Sequence, residues 1–183
     1  MKVNLNRKGY LAVEIILASV VAITIAVFLM EITVKLVNVT DDAYVDTELL
    51  TDKALIIKNV KENLENDINE FGGIKKIERY TSEGKRGYII YFCNSANQDE
   101  DRNIYITTNN IIEYSTDLYN EAQDETIFYS KTLNKNLNAD SAKIDSIENL
   151  STSDYILFKI TADTKFSKEP FIANIVVKNN KTC

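Results

Sequence analysis

Hydrophobic positions along this chain change period twice, and each change predicts a different element. Residues 10–30 read YLAVEIILASVVAITIAVFLM, an apolar run with one charge, Glu14. A helix of that length spans about 31 Å at about 1.5 Å per residue, close to a hydrocarbon core of about 30 Å. From residue 31 the pattern turns amphipathic. Leu49, Leu50, Ile56, Ile57, Val60, Leu64, Ile68 and Phe71 recur at three- and four-residue steps, with Lys53, Lys58, Lys61, Glu62 and Glu65 at other positions. Gly72-Gly73 closes the pattern as a left-handed C-terminal cap would. The spacing predicts one spine over 10–71, with a break or bend at Asn38-Val39-Thr40-Asp41-Asp42, which are weak helix formers.

After Gly73 the period falls towards two. Strands are expected at 74–80, 88–93, 104–108, 111–115, 126–129, 155–161 and 172–178, while 143–150 reads equally as a strand or a short helix. Residues 82–87 suit a hairpin loop, and Asn109-Asn110 suits a tight turn because Asn tolerates positive φ. An antiparallel sheet laid on the spine's apolar stripe buries both surfaces, which gives an α+β fold. The expected division is residues 1–9, a membrane-length helix at 10–30, its amphipathic continuation at 31–73 and a β-rich head at 74–183.

Charge orients this plan. Lys2, Arg7 and Lys8 precede the apolar run, so the positive-inside rule puts the N-terminus in the cytoplasm and the head outside. The formal charge is −6, most of the acid lies beyond the apolar run, and no basic stripe is present. That argues against nucleic acid, whose phosphates require clustered Lys and Arg. The chain has no histidine, no G-x-S-x-G and no phosphate-cradling glycine loop, so neither an enzyme nor a cofactor is expected.

Two further groups are candidates for chemistry. Cys93 and Cys183 would face an oxidising exterior, either bridged, for a model-dependent ~4–5 kcal/mol, or as a core thiol and a thiol on a frayed tail. Asp99, Asp101 and Asn103 have the alternating spacing that opens a calcium loop. Ile104 stands where that loop needs glycine, and no glutamate closes it, so a solvated acidic loop is expected and no metal.

Glu14 is the residue that an ordinary anchor leaves unexplained. A charge inside a bilayer costs on the order of 2.5–3.5 kcal/mol at mid-span and is normally paired. A secretory signal would have a shorter apolar core and an A-x-A-like site at its far end. Cutting the chain between Gly9 and Tyr10 would create an α-amino group four residues before Glu14, at a similar membrane depth.

Lys8-Gly9-Tyr10-Leu11-Ala12-Val13-Glu14, followed by the apolar helix, resembles the processing site of type IV prepilins and type II secretion pseudopilins. Tyr10 stands where that family usually has Phe, and the helix-kinking proline common there is absent before Pro170. The resemblance implies cleavage after Gly9 by a prepilin peptidase, N-methylation of Tyr10, and pairing of Glu14 with a neighbouring subunit's terminal amine. It implies a pilin-like fold and a structural subunit, by its head a minor one. The subunit would pass from the cell membrane into an extracellular or periplasmic filament. Its partners would be other pilin or pseudopilin subunits, an assembly ATPase and a platform protein, in a machine for adhesion, motility, DNA uptake or secretion. The alternative is a single-pass anchored binding domain that joins no filament.

Overall fold

The computed structural model describes residues 5–82, 84–94, 101–116, 126–148, 154–165 and 169–179, with the backbone alone at 5–10, 147 and 148. Helix α1 (Leu5–Phe71) is followed by β1 (Ile74–Ser82), β2 (Lys85–Phe92), β3 (Arg102–Ile106), β4 (Ile111–Thr116), β5 (Ile127–Thr132), β6 (Leu137–Glu148), β7 (Tyr155–Thr164) and β8 (Phe171–Lys178). The fold is α+β, and α1 meets antiparallel sheets as the periodicity anticipated. Two compact units divide the chain, Met1–Asp46 and Thr47–Cys183.

The expected break near Asp41 is absent: α1 runs through residues 38–42 without interruption. Weak propensities cost only a few tenths of a kcal/mol per residue, and propagating a helix already formed outweighs them. Thr40 also stops competing for the backbone, because its Oγ1 donates to the Leu36 carbonyl at 2.8 Å. Ser19, Thr24 and Thr33 bond the i−4 carbonyl in the same way. All four hydroxyls between residues 11 and 40 are thereby satisfied without water, as an apolar surrounding requires.

In the unit Thr47–Cys183, Ile56, Val60, Leu64 and Ile68 recur every four residues on one face of α1 and are buried. They share a core with Ile90, Phe92, Ile104, Ile106, Ile112 and Tyr114 from one sheet and Phe158, Ile160, Ala173 and Ile175 from another. Leu50, assigned to this stripe by spacing, is 64% exposed and does not belong to it. The last turn ends at Gly72, whose φ of 81° is open to glycine at little cost. Asn94 N–H donates to the freed Phe71 carbonyl at 2.9 Å.

The strands form two sheets where one was expected. β1 to β5 pair in chain order as a five-stranded meander, and β6 to β8 form a three-stranded one. Ambiguous residues 143–148 belong to β6, pairing with β7 beyond an irregularity between Asn138 and Lys143. The sheets are tied by Asn179, whose side-chain amide takes the place of a strand neighbour. Its Oδ1 accepts from Ile74 N–H at 2.5 Å, and its Nδ2 donates to the Ile74 carbonyl at 3.0 Å. The β3–β4 turn matches the Asn109-Asn110 expectation, with Asn110 at φ 59°. Gly87 is required by proximity: a Cβ there would lie 2.0 Å from the Ile104 carbonyl oxygen.

Cys93 is disulfide-bonded. The chain's other cysteine, Cys183, lies outside the described residues.

Candidate functional site

Residues 9–14 lie within continuous helix, so the Gly9–Tyr10 peptide is one helical turn from Glu14. Nothing is described of the side chains at 5–10, which include Arg7, Lys8 and Tyr10; Lys2 lies outside the described residues. Every residue from 11 to 40 is exposed, and large apolar side chains occupy all sides of the helix, with Leu11, Ile16, Ile23 and Phe28 each about 60% exposed. Such a surface calls for a non-aqueous cover, either lipid or other apolar helices. The segment is long and apolar enough to cross a membrane. A signal sequence meets the same test. Glu14 is the only acid between Leu11 and Met30.

At the other end of α1 lies a buried polar cluster that sequence reasoning overlooked. Arg102 Nη2 is 3.2 Å from Asp67 Oδ1, and Tyr114 donates its hydroxyl to Asp67 Oδ2 at 2.5 Å. Asp67 and Arg102 are each 5% exposed, and Tyr114 is fully buried. The Arg102 guanidinium carbon lies 5.0 Å from the Phe71 ring centroid and 4.8 Å from that of Phe128, giving the cation two aromatic neighbours. The cluster joins the last turns of α1 to β3, β4 and β5. Its one sequence signal was an acid inside the apolar stripe, between Leu64 and Ile68.

Burial sets the protonation of this cluster. It pushes the Asp67 carboxyl above its ordinary range, against the opposing effects of the Tyr114 hydrogen bond and the Arg102 charge. Burial and the Asp67 charge hold the Tyr114 hydroxyl well above the usual phenol range. Nearby, burial first and the Asp52 charge second push Tyr129 up to about 12.

Both tyrosines have raised folded-state values. Their stabilising contribution is complete below the unfolded value of about 10 and is lost as pH rises towards the folded value. Unfolding free energy should therefore fall from about pH 10 towards pH 12. Tyr114→Phe should flatten that decline while lowering the neutral baseline, as read by denaturation together with tyrosinate absorbance.

A second set of contacts fixes α1 nearer the start of the head. Asp52 pairs with Lys131 at 3.2 Å and accepts from Asn134 Nδ2 at 3.3 Å; Glu48 accepts from Asn136 Nδ2 at 3.2 Å. These contacts hold α1 against β5 and the segment that follows it.

Of the residues with calcium-loop spacing, only Asp101 and Asn103 are among those described. Asp99 lies outside the described residues, and Asn103 is buried within β3 beside Ser115 of β4 instead of lying on a loop. Asp101 directly precedes that strand, and its backbone carbonyl accepts from Arg102. Among the described residues no group of three His, Cys, Asp or Glu is placed to hold a metal. An open cleft of about 390 Å³ lies between the β1–β2 and β3–β4 turns and the start of β6, lined by Thr81, Arg86, Thr108 and Asp140 among others. Its described lining gathers hydroxyls and opposed charges.

No protein-family model, no curated protein and no solved structure matches this chain. A long N-terminal apolar helix whose C-terminal part packs on antiparallel sheets is nevertheless consistent with a pilin-like fold.

Proposed function

We propose that this chain is a structural subunit of a pilus or pseudopilus, by its large head a minor one, and that it has no catalytic role. The observation that carries the reading is Glu14: the lone acid in the otherwise apolar run 10–30, one turn beyond a Gly-aromatic bond preceded by basic residues. A prepilin peptidase cuts after Gly9 at the cytoplasmic face and methylates Tyr10. The resulting ammonium, on a neighbouring copy, neutralises Glu14 and sets the stagger between subunits. An assembly ATPase and platform protein then draw the subunit from the cell membrane. The helix exchanges lipid for other helices at little hydrophobic cost, since both are apolar. The head remains outside the membrane.

Replacing Gly9 with a bulky residue should abolish the mobility shift of processing. Glu14→Gln should leave that shift intact but deplete the chain from sheared filaments, because an uncharged side chain no longer selects the stagger. Equal recovery of wild type and Glu14→Gln in the filament fraction would remove Glu14 from assembly.

A further inference from the structure

Two surface patches of opposite sign lack ion-pair partners among the described residues. Between Lys35 and Lys53 the helix has no lysine or arginine but carries Asp41, Asp42, Asp46, Glu48 and Asp52. Glu48 and Asp52 are engaged by the head residues described above. Asp41, Asp42 and Asp46 are exposed, and none has an ion pair among the described residues. Asp42 and Asp46 stand one turn apart, a like-charge spacing that works against the helix unless a cation lies outside it.

The complementary patch is on β1 and β2. Lys75, Arg79 and Arg86 are exposed and lack ion pairs among the described residues. Arg79 and Arg86 project from the same face, because Arg79↔Tyr88 and Thr81↔Arg86 are alternate pairs of one antiparallel register. The described acid of β1, Glu78, is already taken by Lys76 and Tyr91, which hold its carboxyl below the ordinary range.

We infer that the β1–β2 cations dock on the 41–46 carboxylates of a second copy of this chain. The inference rests on the filament reading and names one contact within it, head against spine. Arg79 and Arg86, which share a face, match Asp42 and Asp46 one helical turn apart, and complementary potentials fix register between partners more than they add affinity. Being exposed, the contact is screened by salt.

The test uses full-length chains, half of them labelled with ¹⁵N, in their membrane, with a zero-length carbodiimide. Lys75 and Asp41 are the reporter pair and stay unchanged in every variant. Mixed-isotope Lys75–Asp41 cross-links are expected. Arg79→Glu with Arg86→Glu should lower them roughly tenfold, as should Asp42→Arg with Asp46→Arg, since two modest surface pairs become repulsive. Combining all four substitutions should restore the links. Links confined to one isotope class, no Lys75–Asp41 link, or no restoration in the combined variant each overturn the inference. The N-terminus is read in the same samples: an uncut N-terminus defeats the filament reading, whereas a cut N-terminus without mixed links defeats only this contact.

Discussion

Asp67→Ala should lower the unfolding free energy of the head by about 3–5 kcal/mol, the usual result of removing one partner from a buried ion pair. The loss comes chiefly from what remains. Arg102 is 5% exposed and would keep its charge with two aromatic rings beside it and no carboxylate. Tyr114 would lose its acceptor at 2.5 Å, leaving a buried hydroxyl. Asp67→Asn, which still offers an oxygen to Tyr114, should fall between wild type and Asp67→Ala. Replacing Asp67, Arg102 and Tyr114 together by apolar residues of similar volume should recover much of the loss, since no charge is then stranded. Chemical denaturation at neutral pH checks all three variants. Recovery equal to Asp67→Ala in the triple variant would show that packing, not the unpaired charge, sets the cost.

Leu64→Ala should cost about 2–5 kcal/mol, and Leu50→Ala less than about 0.5 kcal/mol in the isolated chain. Both positions fit the same three- and four-residue spacing, but Leu64 is fully buried against both sheets while Leu50 is 64% exposed. Removing Leu64 leaves a cavity between helix and strands that rigid neighbours fill only in part. Comparable losses in the two variants would place the helix on the head in a different rotation.

The contrast between these leucines shows where local pattern stops being informative. Spacing located the helix, its glycine cap and every strand but β6, because burial of one face imposes a period on each element. Ile56, Val60, Leu64 and Ile68 were legible for that reason. β3 was less so: all five of its residues are buried, so alternation there separates two covered faces instead of core from solvent.

The division into two sheets left no local trace. The tie between the sheets runs from Asn179 to Ile74, 105 residues away in the chain, and β6 is irregular. Asp67 looked like an ordinary acid on a helix because its partners lie 35 and 47 positions further on. The Gly9–Glu14 segment was the reverse case. The role proposed for it rests on adjacent residues, which one helical turn relates.

In the proposed function, Glu14 is tolerated in an apolar setting because a terminal ammonium is made for it at residue 10. Intact-mass and N-terminal peptide spectrometry of the membrane-bound protein tests this most directly. The filament reading requires a mature chain beginning at Tyr10 and carrying an N-methyl group. A membrane form that retains Met1 and the residues up to Gly9 would contradict it, leaving an anchored head whose Glu14 has no partner.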